Sequence, residues 1–381
     1  MSKSTKTAAP AAKKSAKTAK AAKKFKVAII GLDTSHSVAL PQLMQDPATP
    51  AAQRISGLVA TRALRFPSAF QSEEGQDKRQ KTLESIGVKV ARDFDKAVAD
   101  CDALMLEIND PALHLEFFEK CAALGKPIFL DKPFADDWTN TLKIVDIAKK
   151  NNVRFFTSSS LRFDADFSAA VKEWGKANSA TIWGPVGKAP AGSSVIWYGC
   201  HTVEMLETVM GRGAVAVTAC NDRDGYVFHV IYGDGRRGVV DMSSTNWKYG
   251  ACIRHAESGT LKFAECTCRI PFYCMLLKEI VKFLGGGQPV SLEDSLETMA
   301  VLDACDRAAR SGKTEPGRPQ RQDRTGLPHL KRFSPVRKPP RDLPGPRRPF
   351  FSRPPGRSRK NRLFSFLLTF LSRTCILTGK P

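Results

Sequence analysis

Two short stretches carry side chains able to move protons. Pro127-Ile128-Phe129-Leu130-Asp131-Lys132-Pro133 reads as a buried strand ending in a charged pair and a proline. In an open parallel sheet, ligands gather beyond the carboxyl ends of the strands. Lys132 would therefore aim its ammonium into that crevice, with Pro133 restricting its backbone. A solvated Asp-Lys turn fits the same residues on spacing alone. The second stretch is Trp197-Tyr198-Gly199-Cys200-His201-Thr202-Val203-Glu204. A helix starting near His201 puts His201 and Glu204 on one face. His201 could take a proton from a substrate hydroxyl near neutral pH, with Glu204 orienting it. A histidine bonded to backbone at a helix start is the plainer alternative. His-x-x-Glu offers only two ligands, so no metal site is expected there or elsewhere.

Three further groups point to a nucleotide. Gly31-Leu32-Asp33-Thr34-Ser35-His36 follows a strand and keeps the first glycine of a dinucleotide fingerprint, with Asp33 and His36 at the other two glycine positions. Gly31 permits the tight turn, and Thr34 and Ser35 can offer hydroxyls and N–H groups to a phosphate at a helix start. The second strand ends Val59-Ala60-Thr61-Arg62, with Arg65 nearby and no acid for the ribose. Arginine there suits a 2′-phosphate, as in NADP, although two surface arginines fit equally. The fourth strand ends Glu107-Ile108-Asn109-Asp110-Pro111, followed by His114, which brings polar groups to the sheet edge that holds Lys132.

The elements that must position these groups alternate. Strands are expected at 26–31, 55–61, 88–91, 103–108, 127–130 and 153–158, with helices at 35–45, 73–86, 93–99, 111–124 and 136–151. That succession is a doubly wound, Rossmann-type parallel sheet. After Asp164 the rhythm changes. Helices at 165–176, 201–210, 271–284 and 291–310 surround alternating runs between Ala214 and Ala264 with glycine-rich turns. This predicts a C-terminal α+β domain with an open, mostly antiparallel sheet. The expected division is a Lys/Ala-rich tail at 1–25, a nucleotide-binding domain at 26–158, a substrate domain at 159–312 and a Pro/Arg-rich tail at 313–381.

Charge supports the division. Of the formal +21, residues 1–26 carry +9 (nine lysines, no acid) and residues 313–381 carry +15 (18 basic, three acidic), which leaves −3 for residues 27–312. A near-neutral body is not a basic-faced nucleic-acid domain, so any phosphate-backbone affinity belongs to the tails. Residues 313–381 also hold 12 of the 24 prolines, which disfavours packing. The leader lacks an apolar segment and the run Leu363–Leu371 is too short to span a bilayer. A cytoplasmic protein without a membrane span is expected, and the ten scattered cysteines fit reduced thiols.

Together KVAIIGLDTSH, ALMLEINDPALH, FLDKP and YGCHTVEML, in that order, resemble the Gfo/Idh/MocA oxidoreductases over about residues 25–312. The resemblance implies NAD or NADP as cofactor and hydride transfer at a hydroxyl carbon of a sugar, inositol or related polyol. Asp131-Lys132-Pro133 looks like the family's Glu-Lys-Pro motif, which would set Lys132 beside the nicotinamide and the substrate hydroxyl. His201 falls at the family's catalytic histidine. Gly31, Thr34, Ser35, Arg62, Asn109, His114 and Asp131 become candidate cofactor contacts. Arg162, Tyr198 and Glu204 become candidate substrate contacts. A homo-oligomer formed through the C-terminal sheet is expected. Departures from the pattern are the degraded glycine fingerprint, the missing ribose acid and Trp197, where an acid is usual. They leave open a catalytically weak nucleotide-binding sugar sensor, or a nucleic-acid-associated protein acting through its tails.

Overall fold

The computed structural model describes residues 24–318; both basic tails otherwise lie outside the described residues, as does the run at 363–371. The chain enters on β1 (Phe25–Ile30), whose Val-Ala-Ile-Ile run is fully buried. Burial on both faces is what a central parallel strand requires. There follow α1 (His36–Gln45), β2 (Leu58–Leu64), α2 (Glu73–Ser85), β3 (Lys89–Ala91), α3 (Phe94–Val98) and β4 (Ala103–Leu106). A short 3₁₀ turn at Pro111–Leu113 leads into α4 (His114–Ala122). The Asp110 carboxylate caps that turn by accepting from the Ala112 N–H, and Pro111 sits where its missing N–H costs nothing. Then come β5 (Ile128–Leu130), α5 (Trp138–Lys150) and β6 (Phe155–Thr157).

The six strands pair in parallel in the order β3-β2-β1-β4-β5-β6. The order reverses between β1 and β4, so the crevice at their carboxyl ends is the expected ligand position. Alternate residues feed two cores. Ala28, Ile30, Leu104, Leu106 and Leu130 join one with Phe118 and Ile144, while Val27, Ile29, Met105 and Phe129 join the other with Leu40 and Leu83.

The second half contains α6 (Ala165–Trp174), β7 (Ala177–Pro185), α7 (Ser194–Met210), β8 (Ala214–Asn221), β9 (Gly225–Tyr232), β10 (Arg237–Ser243), β11 (Gly250–His255), β12 (Leu261–Glu265), α8 (Phe272–Leu284), α9 (Leu292–Ser311) and β13 (Glu315–Pro316). Its sheet runs β12-β11-β7-β10-β9-β8-β13, and the β7–β10 pair is the parallel one in an otherwise antiparallel array. The fold class is thus α/β, a Rossmann-type sheet followed by a mixed, mostly antiparallel one. Among the described residues, no helix is long and apolar enough to cross a membrane.

Several local expectations change. β2 runs to Leu64 rather than Thr61, so Arg62 lies inside the strand and not beyond it. β7 has no counterpart in the alternation read from sequence; it is the central strand on which the parallel β7–β10 pair is built. α7 begins at Ser194, where Ser193 caps the Ile196 N–H, so His201 is mid-helix. Gly199 within α7 and Gly184 in β7 are both sites of close approach. A Cβ on Gly184 would lie 2.4 Å from Thr202 of α7. α8 leaves the second half and returns to the first sheet: Phe283 packs on Phe156, and Arg154 stacks 4.8 Å over the Phe283 ring. Finally, chain order extends past Gly312, because Glu315–Pro316 pair with β8 and Arg318 reaches Glu297 at 2.8 Å.

Candidate functional site

The crevice between β1 and β4 is built on backbone contacts close enough to exclude side chains. Gly31 has φ +109°, and a Cβ there would fall 2.4 Å from the Glu107 carbonyl oxygen. Only glycine meets both conditions. The following residue pattern looked hostile to a pyrophosphate because of Asp33. Its carboxylate is instead turned inward, accepting from Ser68 Oγ at 2.8 Å and from the Asn109 N–H at 2.9 Å. Ser35 is exposed at the start of α1 and its side chain caps nothing, which leaves the helix start open. Thr34 is buried, with Oγ1 accepting from the His36 N–H at 3.3 Å. Gly31, Ser35 and the first turn of α1 fit a dinucleotide phosphate.

Asn109 lies at the crevice edge. Its Oδ1 accepts from Trp197 Nε1 at 2.9 Å, a bond from α7 across to the first sheet. Trp197, where an acid was the usual residue, therefore fixes the second half to the nucleotide-binding half.

At the end of β5 the expected pair is brought to the crevice. The Asp131 N–H donates to the Leu106 carbonyl, which anchors the turn beside β4. Asp131 Oδ2 lies 2.7 Å from His36 Nδ1. Burial opposes ionisation of Asp131, but His36 and Lys132 outweigh it and hold the carboxyl down to about 2. Lys132 is only 7% exposed. Burial would discharge it, yet Asp131 first, then smaller contributions from Cys200, Tyr198 and Glu107, push it above its ordinary value. It stays an ammonium.

His201 is buried in α7, and its Nδ1 lies 2.7 Å from Ser159 Oγ. Burial, then Lys132 and His36, hold it well below the usual histidine range, so it is neutral at pH 7. The charge of Lys132 thus helps to keep the buried His201 imidazole neutral, and Lys132 lines one cavity with Cys200 and Glu204 on either side of His201 in the chain. Aromatic rings surround them. Tyr198 and Tyr249 stand edge-on to His201 at 5.5 and 5.8 Å, and Trp247, 59% exposed, stands edge-on to Tyr198 at 5.7 Å.

Other expected residues are placed elsewhere. Glu204 does not orient His201. It accepts from Ser158 Oγ, from the Ser159 N–H at 2.6 Å and from Arg162 Nε at 2.7 Å. Its influence on His201 passes through Ser159. Arg162 is not free for substrate, being clamped between Glu204 and Glu207. His114 is fully buried, with Nε2 2.8 Å from the Ile108 carbonyl oxygen and Nδ1 3.4 Å from that of Phe134, so it does not face a cofactor. Arg62 donates to the Lys96 carbonyl and pairs with Asp100 at 3.6 Å. Arg65 is 4% exposed and held by Asp77, Glu73 and Gln80. Arg65 is committed to these partners, while Arg62 is held only by surface contacts.

Sequence reading missed His36 as the partner of Asp131, Ser159 as the partner of His201, and Glu107, which is fully buried beside them. It also missed Tyr249, Trp247 and Tyr273. The signal for Ser159 lay in the Ser158-Ser159-Ser160 run at the end of β6, where a hydroxyl at a strand end faces the crevice. Tyr273 had no local signal: it arrives on α8, with its ring 5.0 Å from that of His36.

Comparisons agree with this architecture. Residues 25–159 match the family GFO_IDH_MocA, described as oxidoreductase family, NAD-binding Rossmann fold. An uncharacterized oxidoreductase of Schizosaccharomyces pombe is 27% identical over 112 residues, 28% of this chain and 30% of its own length. Another, from Streptococcus pneumoniae, is 32% identical over 88 residues, 23% and 24% respectively. The matched segment thus spans less than a third of either curated relative. Apo scyllo-inositol dehydrogenase from Lactobacillus casei superposes with a TM-score of 0.63 at 16% identity, covering 77% of this chain and 98% of that one. That likeness is one of fold.

Proposed function

We propose that this chain, a Gfo/Idh/MocA-family oxidoreductase by the match of residues 25–159, interconverts a hydroxyl carbon and a carbonyl on a sugar, inositol or related polyol with NAD or NADP. The observation that carries the reading is that cationic Lys132, at the carboxyl edge of the parallel sheet, lines one cavity with Cys200 and Glu204 of α7, the helix that carries neutral His201 with the Tyr198 and Tyr249 rings against it.

Gly31, Ser35 and the start of α1 would hold the cofactor's phosphates, with Asn109 at the crevice edge. The bound nicotinamide supplies the hydride acceptor or donor. Oxidising an alcohol carbon also requires loss of the hydroxyl proton, and a neutral imidazole can take it. Ser159 Oγ already accepts from the Leu161 N–H, and a second lone pair can accept from His201 Nδ1–H. That tautomer leaves Nε2 as the base. The Lys132 ammonium would bond the substrate oxygen as its negative charge grows, a contact stronger in the transition state than in the ground state. The aromatic rings offer flat apolar faces against which a sugar ring can lie while its hydroxyls reach polar groups.

The sensor reading is favoured by one feature, the Asp33 and His36 side chains at glycine positions of the fingerprint. Thermal shift with NAD and NADP, followed by nicotinamide absorbance with a panel of inositols and aldoses, separates the two. The expected result is cofactor stabilisation and turnover of at least one polyol. Lys132→Ala and His201→Asn should each lower kcat by ~100-fold or more, with cofactor affinity within a few fold. Cofactor binding without turnover of any polyol supports the sensor. Near-normal kcat in both variants overturns the assignment of the pair.

A further inference from the structure

Glu107 is the least explained polar side chain among the described residues. It is 0% exposed, and neither carboxylate oxygen has a hydrogen-bond partner. An unpaired carboxylate so deeply buried is costly unless protonated or matched to a cation. It faces a defined cluster. Oε2 lies 3.9 Å from His36 Nδ1, which in turn lies 2.7 Å from Asp131 Oδ2. One ligand atom from each of His36, Glu107 and Asp131 lies within 4.8 Å of the others, and all three residues are buried.

We propose that His36, Glu107 and Asp131 form a binding site for one divalent transition-metal ion, with Zn²⁺ or Mn²⁺ the chemical type. One imidazole and two carboxylates form a mixed nitrogen–oxygen donor set that suits such ions. Ligand atoms around an ion with ~2.1 Å bonds lie ~3–3.5 Å apart, so Glu107 must swing inward from 3.9 Å and the ion must replace the proton shared by His36 and Asp131, whose 2.7 Å contact widens. The three residues come from separate elements, the start of α1 and the ends of β4 and β5. These meet at the switch point of the sheet, so the site exists only in the folded chain. Tyr273 closes one side by standing edge-on to His36. Three protein ligands leave coordination positions for water or an oxygen ligand from the crevice.

Lys132 acts electrostatically on both carboxylates. It competes with a metal ion for the same negative charge, which gives the proposal a second, opposite-signed test. The site is independent of the dehydrogenase reading, since metal binding is measured without cofactor or substrate.

The experiment is a Co²⁺ titration of the full chain after chelator treatment, read by visible d–d absorption, with Zn²⁺ and Mn²⁺ as competitors. One Co²⁺ per chain is expected, without the sulfur charge-transfer band that binding at Cys266 and Cys268 would give. Glu107→Gln and His36→Gln should each weaken binding at least ~10-fold. Lys132→Met should tighten it. If Glu107→Gln melts abnormally, the His36→Gln and Lys132→Met pair decides the matter. A normally melting chain that binds no Co²⁺ overturns the site. So does binding that keeps its affinity in His36→Gln, or that weakens in Lys132→Met.

Discussion

Replacing Arg162 distinguishes a substrate contact from a structural clamp. The Arg162 side chain is 13% exposed, and its partners Glu204 and Glu207 are 7% exposed each. Arg162→Ala removes the cation between them. Glu204 keeps two donors, Ser158 Oγ and the Ser159 N–H. Glu207 has no other side-chain hydrogen bond; burial pushes it up to about 7 against the pull of Arg162, so without that cation it takes up a proton rather than staying charged. Breaking a buried pair from one side costs ~3–5 kcal/mol when the remaining charge persists; with Glu207 able to protonate and Glu204 partly satisfied, ~2–3 kcal/mol is expected. At ~2–4 °C per kcal/mol for a body of this size, the melting temperature should fall by roughly 4–12 °C. Arg162→Met combined with Glu207→Gln should recover much of the loss, because the amide needs no proton uptake and methionine fills much of the arginine's volume. The activity of the single variant should fall in kcat, since Glu204 holds the Ser159 backbone that places His201. Calorimetry and steady-state kinetics on the same preparations give both readings. A melting temperature lowered by less than ~2 °C together with a large rise in KM would refute the clamp and restore Arg162 as a substrate contact.

Three other outcomes follow from the same geometry. His201 is held below the ordinary histidine pKa of ~6.5, so activity in the oxidation direction should be flat above that value and fall only as pH drops beneath it; a limb above pH 7 contradicts this. The linkage has the same sign: the depressed native pKa contributes stability that is present above ~6.5 and lost as pH falls toward the native value, measurable as melting temperature against pH. Gly31→Ala should cost ~3 kcal/mol or more, combining an unfavourable φ with a Cβ 2.4 Å from a core carbonyl, and should impair cofactor binding; Gly125→Ala, with φ +65° and open space, is the control at ~1 kcal/mol. Trp247→Ala, at a 59% exposed position, should leave the melting temperature nearly unchanged while raising KM several-fold, and an unchanged KM on the best polyol removes it from the sugar face.

Residues whose placement depends on local rules were legible. Gly31 after a β-branched run, Lys132 after a short apolar one, and the alternation of elements fix the crevice from one dimension. These features arise from backbone geometry and burial, which neighbouring residues express directly. What sequence could not rank was which polar side chains face the crevice. Arg62, Arg65, His114 and Arg162 have the right types near the right strand ends, yet each is satisfied by partners that arrive from elsewhere in the chain. Arg65 meets Glu73 and Asp77 on α2, and Arg162 meets Glu204 and Glu207 on α7. Conversely, His36 and Asp131 are 95 residues apart, Ser159 and His201 are 42 apart, and Tyr273 comes from a helix that crosses back from the second half. The sequence alone determined the sheet and where its open edge lies, because strand burial follows residue pattern. Tertiary structure decided which charges are free there, because a buried charge is stable only with a partner, and partners are chosen by distance in space rather than along the chain.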